Sequence, residues 1–210
     1  MSLGLLFIGV SFSQTNNDDV KKEINKKAMK LAKKDAKKYR KAGWDVSPGS
    51  LPMEKLLEQA FIKAEIKTEK GNSKYLNADG NGVGETKTAA ETQALAIAKL
   101  ALASQIESNI GALISTAVGN EQLNNNDAAS ITQVLSNSKE IIAQNLGYIE
   151  PSFKISRVAP GNKDNTEVSI KVFYEVEQSL NIAKRVIKEQ LKDKLEIQSE
   201  KLDKLMGLDK

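Results

Sequence analysis

Apolar residues recur at helical spacing over residues 20–42, where Val20, Ile24, Ala28, Leu31, Ala32, Ala36 and Tyr39 share one side. Most are small, so the pattern predicts an amphipathic helix with a thin buried stripe. Asn16-Asn17-Asp18-Asp19 supplies polar caps and acids at its positive end, and Gly43 supplies a stop. The stretch GWDVSPGSLP (43–52) keeps no period and reads as an irregular connector. Ser50 caps a short helix from Pro52 to about Gln59, with Pro in its first turn. Over 61–69 the period becomes two. Ile62, Ala64, Ile66 and Thr68 alternate with Lys63, Glu65, Lys67 and Glu69, which predicts a half-buried strand. The alternative is that the preceding helix continues through 61–66. Lys70-Gly71-Asn72-Ser73 reads as a turn, with Lys74 to Ala78 returning as a second strand.

Helical spacing is strongest from Thr88 to Val118, where Leu95, Ala98, Leu102, Ile106, Ile110, Leu113 and Ala117 fall on one face. Its Ala-rich first half permits close approach to a sheet. After the polar stretch NEQLNNND, Asp127 caps a further amphipathic helix that carries Ile131, Val134, Leu135, Ile141 and Ile142 and ends near Gly147. The short polar loop predicts an antiparallel helical pair. Tyr148–Val158 and TEVSIKVFYEVE (166–177) alternate as strands around the turn APGNKDN, which predicts a hairpin. Phe173 sits on the polar face of the second strand and implies an edge contact with another element or with a partner. From Ser179 to about Met206 the chain reads as a long charged helix. Leu191, Leu195, Leu202 and Leu205 hint at a coiled-coil seam, and packing against the basic first helix is the competing reading.

These elements predict an α+β fold. A small antiparallel sheet of about four strands in two hairpins is packed by the Ala-rich helix and a second helix, with long charged helices at both ends. The expected organisation is a signal-like segment (1–13), a basic helix (14–43), a connector with a short helix (44–59), a core domain (60–178) and a C-terminal charged helix (179–210).

Charge changes this picture at one place. Residues 20–42 carry eleven Lys and Arg against two acids, a net of +9 in a chain whose total is +4, so the remainder sums to −5. Like charges at i,i+4 make such a helix marginal by itself. The acids of the tail (Glu189, Asp193, Glu196, Glu200, Asp203) are candidate ion-pair partners for it.

Composition excludes several chemistries. With no Cys and no His, the chain cannot form disulfides, thiolate zinc sites, Cys nucleophiles or Ser–His triads. A lipobox is excluded for want of its Cys. At the front, LGLLFIGV followed by Ser11-Phe12-Ser13 resembles the end of a bacterial secretory signal cut before Gln14; the competing reading is an apolar segment packed on the core. The run is too short to span a bilayer. The segment DGNGVGET (79–86) invites a phosphate-loop reading, but its spacing fits neither the dinucleotide fingerprint nor a P-loop, and Glu85 puts negative charge where a phosphate would sit. It reads as a strand-to-helix turn. Trp44, the single Trp, reads as a packing anchor ahead of a ligand platform.

The Ala-rich stretch AAETQALAIAKLALASQIESNI, followed by the strand IKVFYEVE, resembles the Lpp-twenty lipoprotein-type domain, and the FlgT N-terminal domain is similar. That likeness spans roughly residues 60–190 and implies an Ala-rich helix on a small antiparallel sheet. Four further stretches resemble an uncharacterised group of secreted or envelope proteins of gut-type bacteria. They are the Lys-rich helix, Gly43–Lys55, Val83–Thr86 and Ala129–Thr132. This second resemblance implies export and a non-catalytic role, and it carries no activity with it. The missing acylated Cys departs from the lipoprotein type.

The functional expectation is therefore an exported interaction module, periplasmic, outer-membrane-associated or secreted. Its basic helix would dock on an anionic membrane surface or on an envelope protein. The candidate contacts are Lys26, Lys27, Lys30, Lys33, Lys34, Lys37, Lys38, Arg40, Lys41 and Trp44. Nucleic-acid binding by the same Lys residues is the second reading; Lys outnumbers Arg there ten to one, and aromatic interleaving is limited to Tyr39 and Trp44. No carboxylate pair stands out as an acid and base, so no enzymatic activity, cofactor or metal is expected. A homo-oligomer is a further option that the sequence leaves open.

Overall fold

A computed structural model describes residues 17–120 and 122–191. The elements run α1 (Asn17–Lys41), α2 (Met53–Ala64), β1 (Tyr75–Gly84), α3 (Lys87–Gly119), α4 (Asn125–Asn137), α5 (Lys139–Asn145), β2 (Phe153–Val158), β3 (Thr166–Glu175) and α6 (Val176–Leu191). The described fold is α+β. Its sheet is antiparallel in the order β1-β3-β2, with Tyr75 opposite Glu175 and Phe153 opposite Lys171.

The sheet has three strands, not four. The predicted strand over 61–69 is the second half of α2, so the helical alternative holds as far as Ala64. Its alternating charges lie beside two buried helical positions, Leu57 and Ala60, that set the packed face of α2. Only a single bridge, Lys67 to Ser73, remains of the first hairpin. The second correction lies in DGNGVG, which continues β1 as strand. Gly80 and Gly82 face α3, where an added Cβ would stand 2.0 Å from the Ala94 carbonyl oxygen and 2.1 Å from that of Ala90. These glycines serve close approach of a helix backbone, not a turn. The predicted helix over 127–147 is also split in two, at Ser138.

Two predicted caps differ, since α2 starts after Pro52 with no side-chain cap from Ser50, and Asn124, not Asp127, caps α4. Thr86 Oγ1 accepts from the Ala89 amide at 3.1 Å and starts α3, and Asn124 Oδ1 accepts from the Asp127 amide at 2.8 Å and starts α4. The β2–β3 hairpin forms, but β2 starts at Phe153 and not at Tyr148, and β3 ends at Glu175, with α6 beginning at Val176.

Two apolar clusters lie on opposite faces of the sheet. The larger joins Leu76, Val168, Ile170 and Val172 to the buried faces of α3, α4, α5 and α6. The smaller joins Phe153, Ile155 and Phe173 to Ala32, Ala36, Trp44, Met53, Leu57 and Ala60 of α1, α2 and the connector. Phe173 thus packs beneath α2, with the Tyr75 ring edge-on at 6.4 Å. Through Leu191, α6 packs on the larger cluster, on the face of the sheet away from α1. The signal-like segment 1–13 and the tail beyond Leu191, with three of the four seam leucines and four of the five acids, lie outside the described residues.

Candidate anion-docking surface

The position of α1 is fixed at its C-terminal end. Gly43 adopts φ 82°, its amide donates to the Arg40 carbonyl at 3.0 Å, and the Trp44 amide donates back to the Tyr39 carbonyl at 3.0 Å. This is a Schellman motif, and it swings Trp44 back against the sheet. Ala28, Ala32 and Ala36 are buried along the side of α1 that meets α2. Tyr39 packs on Phe153 at 5.7 Å between ring centroids. Burial raises the Tyr39 phenol above its ordinary pKa, and the carboxylates of Asp79 and Asp35 add to the effect.

The Ala stripe turns the cations outward. Lys26, Lys27, Lys30, Lys33, Lys34, Lys37, Lys38 and Lys41 are all exposed on the arc opposite it. From Lys26 to Lys41 the helix rises roughly 22 Å. The one acid in this span, Asp35, lies at the flank and pairs with Lys38 at 3.4 Å. Lys38, Arg40 and Lys41 in the last turn also oppose the negative end of the helix dipole.

Two of the candidate contacts have other roles. Arg40 forms a bidentate pair with Glu54 of α2; Nη1 meets Oε1, and Nη2 donates to Oε2 at 2.7 Å. This hydrogen-bonded guanidinium lowers the Glu54 carboxyl to about 2, and raises Arg40 in return. Trp44 is buried in the smaller cluster, and the Arg157 guanidinium stacks over its ring at 4.4 Å. Arg157 is held in turn by Glu167, at 2.7 Å, and by the Ala42 carbonyl, at 2.9 Å. The exposed cationic surface is thus made of lysines, and Arg40 and Trp44 are clamps beneath and beside it. Sequence reading did not find Arg157 and Glu167, because they reach the end of α1 only through the register of the β2–β3 hairpin.

Among the described residues, no group of three or more acidic side chains is placed to hold a metal ion, and no helix is long and apolar enough to cross a membrane. The chain matches no family model, no curated protein and no solved structure.

Proposed function

We propose that this protein is a non-catalytic, exported interaction module of the cell envelope or extracellular space, of the kind its secretory-like front and Lpp-twenty-like core resemble. It docks on anionic membrane surfaces through the lysine face of α1. One observation carries this reading: eight exposed lysines share the outward arc of a helix whose apolar side is already packed against α2. The Ala32–Ala36 side is occupied, and the exposed apolar residues Val20 and Leu31 lie on the opposite flank from Met29, so α1 presents no broad apolar face to lipid. Docking is peripheral and electrostatic, gaining about 1 kcal/mol per lysine near anionic headgroups. It weakens as salt shortens the Debye length below about 10 Å.

Nucleic acid ranks second. Base stacking needs exposed rings, while Trp44 is buried and Tyr39 is half-buried against Phe153.

The test is co-sedimentation of the full chain with phosphatidylserine-containing and neutral vesicles at low and high salt. The comparison variant is Lys30→Gln/Lys34→Gln/Lys37→Gln, which keeps the buried Ala stripe. The expected result is salt-sensitive binding to the anionic vesicles only, reduced at least tenfold in the variant. Relief of like-charge i,i+4 pairs should leave the variant as stable as the wild type or slightly more so. Equal binding by both proteins, or none by either, would sink the proposal. A DNA duplex titrated beside the vesicles tests the second reading.

A further inference from the structure

Both outer strands of the sheet have an edge, and the two edges are treated differently. On β2, Ser156 exchanges two backbone bonds with Asp45 of the connector, each 2.9 Å. On β1 the pattern is fixed by the Val176 amide, which donates to the Lys74 carbonyl at 3.0 Å. Even-numbered residues of β1 therefore bond to β3, and Tyr75, Asn77, Asp79, Asn81 and Val83 direct their amides and carbonyls outward. Two glutamines of α3 reach this edge. Gln93 Oε1 accepts from the Val83 amide at 2.7 Å, and Gln105 Nε2 donates to the Asn77 carbonyl at 2.7 Å. Between them, the outward amides and carbonyls of Asp79 and Asn81 have no partner among the described residues.

Below this window, α3 offers an uncharged strip. Ile97 and Leu100 follow Gln93 at i+4 and i+7 on the edge side of the helix, and they are 42% and 39% exposed. Ala89 and Ser104 extend the strip. In a chain that is 28% charged, this is an unusual exposed helix side. The Lys154–Glu91 pair, at 2.7 Å, lies on the opposite side of α3, toward β2.

We infer that the β1 edge, with the Ile97–Leu100 strip beneath it, is a self-association surface whose occupant is β1 of a second copy of this chain. The argument for a second copy is complementarity. Antiparallel pairing about a two-fold axis at Gly80 sets Asp79 opposite Asn81 of the second copy, twice. Four backbone bonds form, using the four unpartnered groups of each window's two residues. In each pair the Asn81 side-chain amide donates to the Asp79 carboxylate, which pairs with Lys171 of its own chain at 2.7 Å and is still 64% exposed. The register centred on Asp79 would oppose two carboxylates and is disfavoured. Val83 and Asn77, the next pair in the favoured register, are the groups already held by Gln93 and Gln105, so the glutamines delimit the contact. Gly80 lies over Ala94 and Ala98, so the axis also passes close to Ile97. Ile97 and Leu100 of the two copies then face each other across the axis. The axis is perpendicular to the sheet, so both α1 helices lie on the same side of the joined sheet.

The test is sedimentation equilibrium of the full chain, the Asn81→Asp variant, which sets like charges opposite Asp79 in both pairs, and the Ile97→Lys variant, with helical content followed by circular dichroism. Each substitution places a charge at an exposed position, and Leu100→Lys replaces Ile97→Lys if the latter loses its helical signal. The expected result is a wild-type dimer and variants of half that mass with unchanged helicity. A monomeric wild type overturns the inference, including the case where the edge takes a foreign extended peptide. Retention of the dimer by either folded variant overturns it as well. Vesicle binding does not enter this readout, so the two proposals fail separately.

Discussion

At the scale of single residues, the contact that fixes α1 on α2 is Arg40 with Glu54. Glu54 titrates near 2 in the folded protein against 4.5 in the unfolded chain. A depressed carboxyl stabilises the fold fully above the unfolded value, and that stability is lost as the pH falls from about 4.5 to about 2. The pair stands at the surface, so its worth is about 1 kcal/mol or less. Glu54→Gln should therefore lower stability by about 0.5–1 kcal/mol at neutral pH. The urea-unfolding curves of variant and wild type should converge near pH 2, and a difference that persists there would mean that the side chain acts through packing instead.

At the scale of elements, the contact between β1 and α3 depends on missing side chains. Gly80→Ala would drive a methyl into the Ala94 carbonyl, at a backbone that cannot move without shifting the whole helix. Gly43→Ala meets no atom within 4 Å and costs only its left-handed conformation. The expected losses are about 3 kcal/mol or more for Gly80→Ala and about 1–2 kcal/mol for Gly43→Ala. Chemical denaturation orders the two. The reverse order would mean that α3 stands farther from the strand than its Ala-rich face allows.

At the scale of the whole molecule, β3 is the element that both apolar clusters share. Val168, Ile170 and Val172 face one cluster and Phe173 faces the other. The α1–α2 layer is therefore tied to the same strand as α3, and removing α1 would uncover Met53, Leu57, Phe153 and Ile155. This is why charge substitution, not truncation, is the clean probe of the lysine face. Phe173→Ala should lower stability by about 3 kcal/mol while keeping a single unfolding transition. Two resolved transitions, read by tryptophan fluorescence at Trp44 and by far-ultraviolet dichroism, would show instead that the layers unfold separately.

Strong periods with local caps were legible in the chain itself. The basic helix with its Gly43 stop, the long Ala-rich helix, and the alternation of the β2–β3 hairpin all depend on interactions within a few residues, which sequence spacing records directly. The even-numbered run Gly80, Gly82, Gly84 was legible too, as one bare face of a strand; read as turn residues, it hid the second half of β1. What tertiary structure decided were choices between patterns of nearly equal local energy. FIKA carries both a two-residue and a helical period, and burial of α2 against Phe153 and Phe173 selected the helix. The fate of the charge was decided the same way. Sequence placed eleven cations in one segment, but only packing determined that Arg40 is clamped by Glu54, that Trp44 lies under Arg157, and that the lysines face outward. Those pairings join residues 14 and 113 positions apart, and long-range contacts of that kind leave no periodicity along the chain.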